Sequence, residues 1–298
     1  MKQDIQSRDL EKIKNPFSYF PIQEFEEDNF KKFLSRFLLK YSRKKKIRQT
    51  QIVILAAGKG LRMNIDYPKP LYKLNYPDGN FNMLENTLKN IDVMSKSSQM
   101  SSINIVINEK DINYFESYQV KNKINLIPLH PKKINGTAAC VNEIIPFLNK
   151  EDDVLFIWGD LAIWDPSDFS LFLSAHKFLD SKVTFPTRIV KNPYVAFLRD
   201  CDGKLSEVFH SNEGKKYYGL AEQDCLAFAF QYKVLKHLPS FLNDFHSMNQ
   251  EVDLVHFLPY LSLIGVPVMP LPICNQKSVS GLNNQKKARE INKTLEKN

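Results

Sequence analysis

Apolar and polar residues along this chain fall into blocks whose period switches between strand-like and helix-like. Four consecutive branched apolar residues, Ile52-Val53-Ile54-Leu55, predict a strand buried on both faces, as in a parallel sheet. Met83 to Ile91 predicts a helix, and Ile103 to Ile107 a second buried strand. A short helix over Asp111 to Tyr118 and a strand over Ile124 to Leu129 follow. Gly136-Thr137-Ala138-Ala139 opens a helix reaching Leu148, and Val154 to Trp158 is again a strand. Ser167 to Leu179 predicts a helix and Lys182 to Arg188 a strand. Strands alternating with helices predict an α/β fold with a doubly wound, mostly parallel sheet. Ligands in such sheets bind at the carboxyl ends of the strands.

Beyond Arg188 the texture changes. Tyr194 to Arg199, Leu205 to Phe209 and Cys225 to Phe230 predict strands of a smaller β-rich region. Asp200-Cys201-Asp202-Gly203 is a hairpin turn between the first two. Glu251 to Ile264 predicts a helix disturbed by Pro259, and Val266 to Ile273 a last strand. Gly281-Leu282-Asn283-Asn284 then leads into a basic helix. There are no internal repeats, and residues 51–298 contain no linker that would divide them.

Residues 1–50 stand apart as a helical, basic N-terminal extension. Phe17 to Phe25, with Pro16 and Pro21 around it, predicts irregular chain. Phe30, Phe33, Leu34, Phe37, Leu38 and Tyr41 recur at helical spacing from Asn29 to Tyr41. This face suits packing on the rest of the chain, or on a second copy as a homo-oligomer. The run Arg43-Lys44-Lys45-Lys46 would make the same helix a candidate for an anionic membrane surface or partner.

Charge supports that division. The chain of 298 residues has formal net charge +8, and residues 1–50 carry 13 Lys/Arg against 7 Asp/Glu, so +6 lies there. The remainder is nearly balanced, which argues against a nucleic-acid-binding domain. Apolar residues make up 43% of the chain, enough for a large core. No apolar run approaches the roughly 20 residues of a membrane span, and Met1 to Arg8 is followed by no apolar segment resembling a signal peptide. The four cysteines are widely spaced, which fits a reducing cytoplasm better than a zinc site or a disulfide framework.

The candidate chemistry begins where the Ile52–Leu55 strand stops. Leu55-Ala56-Ala57-Gly58-x-Gly60 is a turn of small residues that lets backbone approach a ligand and form an anion-binding concavity. Arg62 and Lys69 place two cations beside it, one a fork and one a point charge for phosphate oxygens. No Gly-x-x-x-x-Gly-Lys-[Ser/Thr] loop can be written here, and Met63 stands where a dinucleotide fingerprint needs its third glycine. Asp160 ends a buried strand on the same predicted edge, where a carboxylate facing phosphates suits Mg²⁺.

Leu-Ala-Ala-Gly-x-Gly-x-Arg-Met followed by Pro68-Lys69-Pro70-Leu71 resembles the sugar-1-phosphate nucleotidyltransferases, closest to the N-acetylglucosamine-1-phosphate uridylyltransferase branch. The resemblance covers roughly residues 50–290. It implies that Arg62 holds the β- and γ-phosphates of a nucleoside triphosphate and that Lys69 bridges the α-phosphate and the acceptor phosphate. It implies Mg²⁺ on Asp160 and on Asn283, since Gly281-Leu282-Asn283-Asn284 is similar to the family's Gly-Val-Asn-Asn. Gly136 and Thr137 resemble a loop against the nucleobase and ribose. The Gln that usually precedes it is missing, and Asn135 is the candidate substitute.

The acceptor side resembles the family less. Tyr194-Val195-Ala196-Phe197 stands for Tyr-Gly-Arg-Ile, His210 for the sugar-binding Glu, and Asp224 falls in the Asn-Thr-Gly segment. No hexapeptide repeats follow residue 290, so no acetyltransferase activity is expected. The expected activity is Mg²⁺-dependent transfer from a nucleoside triphosphate, UTP first, to a sugar 1-phosphate. A cytidylyltransferase acting on a phosphorylated alcohol such as phosphocholine, a non-catalytic nucleotide-binding regulator and a basic adaptor acting through residues 1–50 remain as alternatives.

Overall fold

A computed structural model describes residues 2–19, 21–41, 48–58, 60–96, 98–122, 124–133, 135–245, 251–275 and 278–296. Helices α1 (Lys2–Lys14) and α2 (Glu27–Tyr41) come first, separated by single 3₁₀ turns at Pro16–Ser18 and Ile22–Glu24. Strand β1 (Thr50–Leu55) precedes a hairpin, β2 (Lys73–Tyr76) and β3 (Gly79–Asn82). Then come α3 (Met83–Ser95), β4 (Met100–Asn108), α4 (Ile112–Asn122) and β5 (Asn125–Leu129). Next are α5 (Thr137–Ile144), β6 (Asp153–Trp158), β7 (Leu161–Trp164), α6 (Pro166–Phe178) and β8 (Val183–Lys191). Strands β9 (Val195–Arg199), β10 (Leu205–His210), β11 (Leu220–Asp224) and β12 (Ala227–Gln231) follow. Helices α7 (Leu238–Phe245) and α8 (Phe257–Leu263), strands β13 (Val268–Pro272) and β14 (Val279–Gly281), and α9 (Gln285–Leu295) complete the order.

Ten strands make one sheet in the order β10-β9-β11-β8-β12-β6-β1-β4-β5, with β13 on β8. β6, β1, β4 and β5 are parallel to one another, as the apolar runs predict. The β-rich region is antiparallel and joins the same sheet where β12 pairs with β6. Side chains alternate between two cores, because successive strand residues point to opposite faces. Ile52, Ile54, Ile105, Ile107, Leu155 and Ile157 face a core shared with α2 and α6. Val53, Val106, Val154 and Phe156 face a core shared with α5, α7 and α8. Helices on both faces make the sheet doubly wound.

Several boundaries differ from the sequence expectation. The predicted strand Cys225–Phe230 starts two residues late, because Leu226 adopts positive φ (59°) and turns the chain between β11 and β12. The helix expected from Glu251 starts only as a 3₁₀ turn at Leu254–His256 and continues as α8. Asp253 stands at the N-cap position of that turn, but its side chain accepts from Thr137 and does not cap it. Pro259 lies in the first turn of α8, where its missing N–H breaks nothing. The pairs β2–β3 and β7–β14, strand β11 and helix α7 have no counterpart in the sequence reading.

Residues of the extension share the first core. Phe30, Leu34, Phe37 and Leu38 are buried with Ile13 and Phe25 among residues of β1, β4, β6 and α6, while Phe33 is half-buried. Phe37 meets Phe178 edge-on at 5.6 Å between ring centres. Polar anchors flank this face. Lys31 pairs with Asp168, Ile189 N donates to Glu27 Oε1 at 3.1 Å, and Arg199 Nη1 donates to Lys14 O at 3.0 Å. The basic run Arg43–Lys46 lies outside the described residues. Among the described residues, no helix is long and apolar enough to cross a membrane.

Candidate active site

The carboxyl ends of β1 and β6 lie side by side, Leu55 in register with Trp158. Gly159 N donates to Leu55 O at 2.9 Å, and a Cβ on Gly159 would come within 2.7 Å of that oxygen. Only glycine lets the two chain ends cross this closely. A cleft of about 650 Å³ opens above them. Its floor and one lip are Leu55, Ala56, Ala57, Gly58, Gly60, Arg62 and Lys69, so the glycine turn and both predicted cations meet at one place. A Cβ on Gly58 would meet nothing within 4 Å, as expected of backbone left open to a ligand.

Lys69 Nζ donates to Asp160 Oδ2 at 2.6 Å, with side chains 16% and 18% exposed. The other carboxylate oxygen, Asp160 Oδ1, is buried and has no hydrogen-bond partner. Asp160 also receives Leu282 N on its backbone oxygen at 2.8 Å, which brings Asn283 to the same cleft. Asn284, not Asn283, caps α9, accepting from Lys287 N at 2.8 Å. Asn283 is therefore spared from capping. A buried, unpartnered carboxylate oxygen of Asp160 and the amide of Asn283 line the same cleft, and such hard oxygen donors fit Mg²⁺. Among the described residues no cluster of three or more His, Cys, Asp or Glu could hold a metal ion.

Gly136 and Thr137 form the next part of the rim. Gly136 has φ +88°, and a Cβ there would strike the Val252 backbone at 2.3 Å. Thr137 Oγ1 donates to Asp253 Oδ1 at 2.5 Å and accepts from Leu254 N at 2.7 Å, locking α5 to the 251–256 segment. Asn135 is exposed and lies outside the cleft lining, its backbone oxygen accepting from Val252 N at 3.4 Å.

The opposite wall brings together Tyr194, His210 and Asp224, on or beside β9, β10 and β11. Arg62 Nη1 reaches across to the Tyr194 hydroxyl at 3.5 Å. Tyr194 stacks edge-on against His210, ring centres 5.3 Å apart. Burial lowers the pKa of His210, with His256 and Arg62 adding to the drop and Asp253 and Glu213 opposing it. Burial pushes the Asp224 carboxyl up to about 6, helped by Asp253 and opposed by Leu226 N–H and Arg188. The sequence reading did not single out Trp158, Arg188, Gln223, Glu251, Asp253 or Lys287, which also line the cleft. Sheet pairing and the Thr137–Asp253 lock bring them there, and no local motif marks them.

Residues 52–224 match the family model described as the MobA-like NTP transferase domain. The bifunctional protein GlmU of Buchnera aphidicola subsp. Schizaphis graminum is 26% identical over 267 residues, covering 84% of this chain and 52% of the relative. GlmU of Rippkaea orientalis is 23% identical over 251 residues, covering 82% and 52%. The chain thus spans about half the length of these curated relatives. The inositol-1-phosphate CTP transferase from T. maritima superimposes with a TM-score of 0.61 at 16% identity, over 86% of this chain and 97% of that one. CTP:phosphocholine cytidylyltransferase from Streptococcus pneumoniae gives 0.60 at 13% identity, over 83% and 99%.

Proposed function

The chain belongs to the MobA-like NTP transferase family, and from that premise we propose that it transfers a nucleotidyl group to a phosphorylated small molecule, releasing pyrophosphate. The observation that carries this reading is the convergence of Arg62, Lys69, Asp160 and Asn283 on one cleft beside the glycine turn. UTP and a sugar 1-phosphate are the first choice of substrates. An acceptor phosphate oxygen attacks the α-phosphorus in line; the new P–O bond forms as the bond to pyrophosphate breaks. No covalent enzyme intermediate is needed, so positioning and charge neutralisation supply most of the acceleration. Arg62 steadies the β- and γ-phosphates. Lys69, released from Asp160, bridges the α-phosphate and the acceptor phosphate. Asp160 and Asn283 would hold Mg²⁺, which when bound would neutralise phosphate charge. Four cysteines free of disulfides suit the cytoplasm.

Cytidylyl transfer is the second reading. The absence of a Gln before Gly136 favours it, as do the names of two solved neighbours, both enzymes that use CTP. One panel tests both readings: pyrophosphate release from the four ribonucleoside triphosphates and dTTP, with sugar 1-phosphates and phosphocholine. We expect release with UTP that stops in excess chelator. Preference for CTP moves the assignment to the second reading, and full turnover in chelator refutes the metal.

A further inference from the structure

The N-terminal extension docks from behind on the strands whose front lines the cleft. Glu27 Oε1 accepts from Ile189 N at 3.1 Å, two residues beyond Thr187, where β13 stops pairing with β8. Arg199, at the end of β9, joins the extension to the sheet. Its Nη1 donates to Lys14 O at 3.0 Å, and its guanidinium lies 5.1 Å from the ring centre of Phe17. Its Nε and Nη2 fork onto Glu222 of β11 at 2.6 and 2.7 Å, and Nη2 also reaches Pro270 O at 2.9 Å. Thr187 Oγ1 of β8 donates to the same carboxylate at 2.7 Å. The Arg199 and Glu222 side chains are 6% and 2% exposed. The turn between β9 and β10 fits the same segment, since a Cβ on Gly203 would come within 2.3 Å of Asn15.

This network ends one residue behind the cleft. Successive strand residues face opposite sides of a sheet, so on β11 Glu222 points back and Gln223 points forward. Gln223 lines the cleft, and its Oε1 accepts from Tyr194 N at 3.0 Å, which fixes Tyr194 beside it. A bidentate arginine–carboxylate pair is both strong and geometrically specific. It therefore transmits the position of the extension to β9 and β11. The phosphate-binding turn is held differently, because β1 is clamped by β4 and β6.

We propose that the extension is a brace that positions the β9–β11 wall for the acceptor, with Glu27, Arg199 and Glu222 as positioning residues. This rests on the nucleotidyltransferase reading, in which that wall faces the acceptor. A shift of β9 or β11 carries Tyr194 and Gln223 with it, and small misplacements of substrate-positioning groups are costly to rate. The extension then serves the second substrate more than the nucleotide.

Variants of the full chain test the inference. Glu27→Ala removes the acceptor for Ile189 N, and Glu27→Gln restores a carbonyl oxygen there. Arg199→Lys keeps a charge against Glu222 but loses the fork that reaches Lys14 O and Pro270 O. Pyrophosphate release is measured with the substrates the wild type uses. Glu27→Ala and Arg199→Lys should lower kcat/KM for the acceptor roughly tenfold, the worth of one hydrogen bond, with the nucleotide KM within about twofold of wild type. Glu27→Gln should recover the acceptor value. Hydrogen exchange should quicken in β9 and β11 of Glu27→Ala and Arg199→Lys but not in β1. A lowered melting temperature with the constants for both substrates unchanged, or an equal loss for both, overturns the brace. If the wild type releases no pyrophosphate from any nucleotide, the proposed function falls and exchange alone decides: quickened exchange in β9 and β11 keeps the brace, and unchanged exchange overturns it.

Discussion

Replacing Lys69 by Ala should damage the protein in two separable ways. The Lys69–Asp160 pair is 2.6 Å long, and its side chains are 16% and 18% exposed. Exposed pairs contribute about 0–1 kcal/mol, whereas breaking a buried pair costs about 3–5 kcal/mol because one charge is stranded. A pair mostly but not wholly buried should fall between, at about 2–3 kcal/mol. At about 2–4 °C per kcal/mol in a chain of this size, the melting temperature should drop by roughly 5–10 °C. The effect on rate has another origin. Charge grows on the phosphates in the transition state, and losing one preorganised cation there costs about 10²–10³ in kcat. Affinity for the triphosphate should change far less, since Arg62 and the glycine turn remain. Lys69→Arg separates the two effects. It keeps a charge beside Asp160 and should restore most of the melting temperature, but a planar fork does not replace a compact ammonium between two phosphates. The assay is steady-state pyrophosphate release together with a thermal melt of each variant. An unchanged kcat in Lys69→Ala refutes the transition-state role, and full activity in Lys69→Arg refutes the argument from shape.

Two further outcomes follow from the packing and the titration. Removing residues 1–48 strips Phe30, Leu34, Phe37 and Leu38 from the first core, at about 1.5–3 kcal/mol of burial each. The truncated chain should melt well below the full chain or lose solubility, and an unchanged melting temperature counts against the docking; any soluble remainder should still bind nucleotide. Asp224 has a carboxyl pKa raised to about 6. The native state therefore holds a proton that the unfolded chain releases near pH 4, so this group's contribution to stability falls as pH rises from about 4 to 6. Asp224→Asn should be more stable than wild type by roughly 2–3 kcal/mol at pH 7.5, a gain that vanishes near pH 4; urea melts across that range that show no pH-dependent difference would refute it.

Much of the parallel half was legible because its signals are local. A run such as Ile52–Leu55 buries both faces, and the small residues after it have no reason to cluster unless backbone approaches something. The same logic puts Lys69 and Asp160 on one edge from the sequence alone, and the two side chains meet there. The hairpin of Lys73–Tyr76 and Gly79–Asn82 escaped because four-residue strands with half-exposed sides leave little periodicity. Strand Val279–Gly281 is three residues long and exists only because Leu161–Trp164 pairs with it. Asp253 and Glu251 reach the cleft through Gly136 and Thr137, more than a hundred residues away in sequence. Such contacts belong to the topology and leave no trace in local spacing. Asn135 illustrates the converse: its place beside Gly136 made it a candidate, but the turn leaves it exposed outside the cleft lining.

The docking of α2 also bears on how the chain is made. The ribosome delivers this helix early, but its partners come late. Glu27 waits for Ile189, 162 residues on, and Lys14 waits for Arg199, 185 residues on. At roughly 5–20 residues per second, the interval is roughly 10–40 s. Throughout it, a face bearing Phe30, Leu34, Phe37 and Leu38 has emerged without the surface it will cover. Nascent chains with such a face are substrates for holding chaperones. Slower translation lengthens the exposure, so soluble yield of this protein should depend on elongation rate and chaperone supply.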